Sequence, residues 1–223
     1  MESLARRLPP VNAIVDVDTA RRFGWDPLDL ARAYLDGGAR FLQLRGKRLP
    51  GSALLDLSRR FRSLCRTAGA ISVINDRADV ARLAGADGVH VGQEDLSAAA
   101  ARALLGSDAL VGLSTHTAAQ VDAALEEPIT YLAVGPIFGT STKATGYEPV
   151  GLDLVRHAAQ RARCGPEARA VVAIGGITLE TAPEVVAAGA DAVAVITDLL
   201  VAGDPARRVR AYLERLDPRA REA

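Results

Sequence analysis

The chain has 223 residues with 27 basic and 27 acidic side chains, and a formal net charge of zero argues against a polyanion-binding or membrane-surface role. At 49% hydrophobic and 24% charged residues global disorder is excluded, and with aromatics at 4% the core has to be built from Ala, Val, Leu and Ile. Two distant cysteines, Cys65 and Cys164, disfavour a disulfide scaffold or zinc site, and neither a signal sequence nor a membrane span is indicated, so a reducing, cytoplasmic setting is expected.

Short apolar, β-branched runs recur along the chain: Ala13–Val17, Phe41–Arg45, Ile71–Asn75, Gly88–Val91, Leu110–Ser114, Tyr131–Gly135, Ala170–Gly175 and Ala192–Ile196. They are apolar at nearly every position, the pattern of parallel strands covered on both faces. Amphipathic segments lie between them, at Leu28–Leu35, Ala53–Cys65, Ala98–Leu105, Thr117–Leu125, Leu152–Ala162 and Thr181–Ala187. A local echo reinforces the alternation. AGADGVHV at 84–91 resembles AGADAVAV at 188–195, with DGGARFLQL at 36–44 a looser third copy, and each sets glycine where a helix ends before a strand. No linker-like or low-complexity tract intervenes. The expected fold class is therefore α/β, a single (β/α)8 barrel of parallel strands over residues 1–223, with an open doubly wound sheet as the alternative.

Reactive groups of such a barrel gather at the C-terminal ends of its strands. In QLRGK, Gln43 and Arg45 alternate onto one face of the second strand and Lys47 follows at the mouth, a set of donors suited to phosphate oxygens. A surface salt-bridge cluster is the bland alternative. After the third and fourth strands, Asp76 and Asp95 could bring two carboxylates together for a hard, oxygen-seeking ion such as Mg²⁺. Taken singly, each reads equally well as a helix cap. GPIFGTSTKATG at 135–146 reads as an anion-binding loop or as a plain surface turn. What favours the loop is Lys143: all but two of the cations are Arg, and both lysines, Lys47 and Lys143, fall among candidate phosphate ligands. IGGIT at 174–178 and VITD at 195–198 end the last two strands, where barrels often hold phosphate on backbone N–H groups, although a tight turn and a cap at Thr178 would explain the first. His90 reads as a satisfied core histidine, His116 as a candidate ligand contact and His157 as solvated; Trp25 and both cysteines read as structural.

QLRGK, INDRADVARLAGADGVHVGQED, GLSTHT, GPIFGTSTK, AIGGIT and AVAVIT, in this order between about residues 40 and 200, resemble the thiamine-phosphate synthase family. The resemblance implies a (β/α)8 transferase that condenses 4-amino-2-methyl-5-(diphosphooxymethyl)pyrimidine with a thiazole phosphate, giving thiamine phosphate and diphosphate. It implies that Gln43, Leu44, Arg45, Gly46, Lys47, Asn75, Ser114 and Lys143 hold the pyrimidine diphosphate, with Arg45, Ser114 and Lys143 as the catalytic groups. Asp76 and Asp95 would hold one Mg²⁺ per active site, and Thr140, Ser141, Thr142, Gly176, Ile196 and Thr197 the thiazole phosphate. Gly46, Gly139 and Thr197 depart from the family's usual Glu, Pro and Ser, and the end of the first strand, DVDTA, also differs, so Asp16 and Asp18 receive no role. The alternatives are a thiazole tautomerase of the same superfamily and a non-catalytic ligand-binding barrel that regulates a partner. The expected partners are small phosphorylated molecules rather than nucleic acid or membrane, with self-association into a homo-oligomer left open, as is the choice between plain and carboxylated thiazole phosphate.

Overall fold

A computed structural model describes residues 8–139, 148–164 and 168–217. Eight strands run β1 Val11–Asp16, β2 Phe41–Arg45, β3 Ile71–Asn75, β4 Gly88–Val91, β5 Leu110–Thr115, β6 Tyr131–Val134, β7 Ala170–Ile174 and β8 Ala192–Val195. All pair in parallel in chain order, and Val11 of β1 pairs with Val193 of β8, so the sheet closes on itself. The barrel prevails over the open sheet, and seven strands, β2 to β8, begin on the residues expected from their apolar runs, while β1 begins two residues earlier, at Val11.

Around the strands lie α1 Val17–Arg22, α2 Pro27–Asp36, α3 Gly51–Thr67, α4 Ala78–Ala84, α5 Ala98–Leu105, α6 Ala118–Leu125, α7 Gly151–Cys164, α8 Ala182–Ala187 and α9 Pro205–Leu216. Short polar residues start several of them: Asp26 accepts from Leu28 N at 2.8 Å ahead of Pro27, Ser97 from Ala100 N at 3.2 Å, and Asp204 from Arg207 N at 2.9 Å. The first strand stops a residue earlier than its apolar run because Asp16 accepts from Thr19 N at 2.8 Å and turns Val17 into a helix. That helix, VDTARR, has too little apolar periodicity to be legible in advance.

The repeated AGAD segments do the same work twice. After α4, Asp87 Oδ2 accepts from Ser72 N of β3 at 2.8 Å; after α8, Asp191 Oδ2 accepts from Val171 N of β7 at 2.8 Å. Each aspartate ties the entry of its own strand to the strand before it. The looser copy has Arg40 at the matching place, and its guanidinium instead donates to Leu35 O and Ala39 O.

Alternation splits the apolar residues into two layers. Leu42, Leu44, Val89, Val91, Val111 and Val193 face outward into the core shared with the helices, while Ile14, Phe41, Val73, Tyr131, Val172 and Ala194 fill the barrel. Within the inner layer Phe41 and Tyr131 pack edge to face with centroids 5.8 Å apart, and the layer gives way toward the C-terminal ends of the strands to the polar side chains of Gln43, Asn75, His90 and Ser114.

Candidate active site

A cavity of about 350 Å³ lies inside the barrel. Of the residues singled out in the sequence, Gln43, Arg45, Asn75, Ser114, Gly176, Ile196 and Thr197 line it, and His116 joins them. Strand pleating brings this about: on β2, Gln43 and Arg45 point inward, so Leu42 and Leu44 must point outward. Leu44 is 1% exposed in the outer core, so its main chain alone is left to meet a substrate. Gly46 likewise has only backbone to offer.

Arg45 is held from the neighbouring strand. Its Nη1 donates to Asp16 Oδ2 at 2.5 Å, and its Nε is buried without a hydrogen-bond partner, which leaves a donor for a ligand. Asp16 is itself buried. Burial alone would raise its pKa, but hydrogen bonds from Thr19 and the Arg45 guanidinium outweigh that and hold the carboxyl below its ordinary value. Asp16 was given no role on sequence grounds; it both caps α1 and aims Arg45.

Asp76 follows β3 with φ 64°, the only non-glycine residue of positive φ among the described residues. Aspartate tolerates this left-handed conformation better than most side chains. Its backbone N donates to His90 O of β4 at 2.7 Å, which turns the chain at the barrel mouth. The carboxylate lies 3.2 Å from Lys47 Nζ and within hydrogen-bond contact of Asp95. Burial raises the pKa of Asp76, and the Asp95 carboxylate raises it further, against the opposing pull of Lys47.

The capping alternative fails for both aspartates. Helix α4 starts without a side-chain cap, α5 is capped by Ser97, and Asp95 Oδ2 accepts instead from Gly92 N at 2.8 Å within its own loop. Two carboxylates brought together against their mutual repulsion, beside a lysine, suit a hard divalent cation that completes its shell with water and substrate oxygens. No group of three or more His, Cys, Asp or Glu side chains suited to a metal occurs among the described residues.

At the ends of β7 and β8, Gly175 and Gly176 have φ of 101° and 66°, and a Cβ at Gly176 would come within 2.6 Å of Gly139 O. Glycine is required there so that the 136–139 loop can pack against the turn; Phe138 N donates to Gly175 O at 3.0 Å. Helix α8 begins at Ala182, and Thr178 caps the turn that leads into it: its Oγ1 accepts from Thr181 N at 3.3 Å and its O from Ala182 N at 2.9 Å, while Thr178 N donates to Thr181 Oγ1 at 3.0 Å. The turn Thr197–Leu199 after β8 is clasped by the last helix. Asp198 accepts from Leu179 N at 3.2 Å, from the Arg208 guanidinium at 2.9 to 3.1 Å and from Tyr212 Oη at 2.6 Å.

His90 is buried and bonded at both ring nitrogens, Nδ1 to Tyr131 Oη at 3.1 Å and Nε2 to Ser114 Oγ at 2.9 Å. His116 Nδ1 lies 2.5 Å from Gly135 O. His157 is half-buried, 3.4 Å from Asp122 across the α6–α7 contact, rather than solvated. Cys65 is buried in the core and Trp25 packs against that core, whereas Cys164 is exposed. Thr140, Ser141, Thr142 and Lys143 lie outside the described residues.

Comparison with known proteins assigns the family. The profile of the thiamine monophosphate synthase family matches residues 13–199. The chain is 41% identical to the thiamine-phosphate synthase of Moorella thermoacetica over 93% of its own length and 98% of that protein. It is 45% identical to the bifunctional protein ThiM/ThiE of Symbiobacterium thermophilum over 86% of this chain, spanning only 39% of that longer protein. Against the thiamine-phosphate synthase of Gloeobacter violaceus it is 42% identical over 85% of this chain, spanning 54% of that protein. Among solved structures, thiamine phosphate pyrophosphorylase from Pyrococcus furiosus superposes with a TM-score of 0.81 at 28% identity, over 92% of this chain and 94% of that one. With its closed barrel and this profile over most of its length, the chain belongs to the thiamine monophosphate synthase family.

Proposed function

We propose that the protein is a thiamine-phosphate synthase that joins the pyrimidine diphosphate to a thiazole phosphate. The observation that carries the reading is the proximity of Asp76 to Asp95 and Lys47, next in the chain to Asn75, which lines the cavity together with Arg45 and Ser114. A tautomerase acting on the thiazole alone has no diphosphate for such a cluster to hold, and a binding module has no need to force two carboxylates together.

Arg45 and Lys47 bind the diphosphate, and Asp76 and Asp95 hold Mg²⁺, which when bound supplies Lewis-acid neutralisation of charge on the leaving group. Lys143, assigned from the sequence, adds a further cation. The C–O bond to the pyrimidine methylene breaks with its electron pair leaving on diphosphate. The thiazole nitrogen then donates a pair to that carbon, and the new C–N bond makes thiamine phosphate. Gly176, Ile196 and Thr197 hold the thiazole phosphate at the opposite wall, and Thr140, Ser141 and Thr142 are assigned to the same phosphate from the sequence. No described residues form a nucleophile-and-base pair on the cavity wall beyond the His90–Ser114 contact, so catalysis rests on charge stabilisation and positioning.

Incubation with both substrates, with and without Mg²⁺, tests this by chromatography. Thiamine phosphate and diphosphate should form in equal amounts and depend on the metal. Metal-independent isomerisation of a carboxylated thiazole phosphate alone would establish the tautomerase instead, and no chemistry would establish the binding barrel.

A further inference from the structure

Four buried side chains lie together across the barrel interior, Gln43 on β2, Tyr131 on β6, His90 on β4 and Ser114 on β5, and the last three form one hydrogen-bonded row with the Gln43 amide beside the phenol. Their exposures are 3%, 0%, 8% and 9%, so bulk water does not rearrange the row. The fold makes room for it at one position. Gly112 sits on β5 beside His90 and Tyr131, and a Cβ there would overlap both the phenol ring and His90 Nδ1. The imidazole and phenol rings stack at 20° with centroids 5.5 Å apart, which keeps them edge-aligned for the hydrogen bond.

Donor counting fixes the direction of the row. Burial keeps the Tyr131 phenol protonated, and a buried hydroxyl hydrogen needs an acceptor, for which His90 Nδ1 lies at 3.1 Å. The one phenolic hydrogen is then left for His90 Nδ1, which must accept. A neutral imidazole bonded in this way carries its proton on Nε2 and donates it to Ser114 Oγ. With its oxygen already accepting, the serine hydroxyl turns its hydrogen toward the cavity. Bonds aligned in one sense reinforce one another, so reversing any of them disturbs all.

We infer that His90 is a positioning residue that, through a tautomer fixed by Tyr131, presents Ser114 to the substrate as a hydrogen-bond donor while Gln43 presents its carbonyl oxygen as an acceptor. The substrate class that matches is a 4-aminopyrimidine, whose amino group donates and whose ring nitrogen accepts. This deepens the synthase reading and rests on it for the identity of the ligand, but the row's direction is a property of the free protein.

The test has two parts. Imidazole ¹⁵N spectra of the uniformly labelled protein, with only three histidines to assign, should show His90 with a bare Nδ1 and a protonated Nε2. The Nδ1-protonated form would overturn the proposal whatever the enzyme does. Next, Tyr131→Phe should slow turnover about tenfold in the wild-type background, the effect of one buried hydrogen bond. In a Ser114→Ala background the same change should have no further effect. Equal slowing in both backgrounds would mean that Tyr131 only supports packing and would also overturn the proposal. Should Tyr131→Phe fail to fold, the wild-type spectrum still decides. A protein that shows the expected tautomer yet makes no thiamine phosphate would refute the synthase reading and leave the row's direction standing.

Discussion

The site's chemistry is set by charges that the fold holds close and half out of water. Asp76 pairs with both a carboxylate and a lysine. Asp76→Asn should depress turnover strongly while the melting temperature stays near that of wild type, because asparagine also tolerates the left-handed backbone and no helix depends on the residue as a cap; Lys143→Ala should likewise depress turnover. Unchanged steady-state rates in either variant would remove its assignment. Asp16 makes a separate point about stability. Its folded pKa lies below the ordinary 3.8, so its contribution is complete above that value and is lost as pH falls through the lower folded one. Asp16→Asn keeps the Thr19 cap but removes the charge beside Arg45, and should cost about 1–3 kcal/mol at neutral pH. Urea melts of the two proteins should converge as pH drops below 3.8; a gap that persists in acid would show that the charge is not its source. The inward alternation of Gln43 and Arg45 was legible in the sequence because pleating has a period of two. Asp16 and Tyr131 were not, because an aspartate before a helix and a tyrosine opening an apolar strand look the same whether or not they hold a catalytic group.

Elements were read most reliably where two faces are buried, since continuous apolar runs of four to six residues have few other uses in a chain this alternating. Strands β2, β3 and β4 fall on their expected bounds for that reason. Contacts between elements were beyond such a reading. The clasp of Asp198 by Arg208 and Tyr212 joins a turn after β8 to the middle of α9, and it depends on how α9 folds back against that turn, which no periodicity shows. That clasp sets the shape of the turn carrying Thr197, so Tyr212→Phe, which removes the 2.6 Å bond to Asp198, should raise KM for the thiazole phosphate with kcat little changed. A rise of up to about tenfold matches the loss of one hydrogen bond to a charged group. An unchanged KM in steady-state kinetics would show that the turn keeps its shape without the phenol.

At the scale of the whole molecule, zero net charge conceals a division of labour. Arg77 and Arg161 pair with the surface carboxylates of Asp79 and Asp122, while at the ends of neighbouring strands Arg45 pairs with the buried Asp16 and Lys47 with Asp76. Closure of the barrel puts the ends of β2, β3 and β4 side by side, which no single segment of sequence can show. The account therefore stands on the two carboxylates acting together with the diphosphate. The most direct measurement is the rate of diphosphate release as Mg²⁺ is titrated into wild type, Asp76→Asn and Asp95→Asn with both substrates present. The expected result is a saturating rise in wild type that is shifted to much higher metal concentration, or lost, in both variants. Equal rates in all three proteins, or full activity in metal-free buffer, would contradict it.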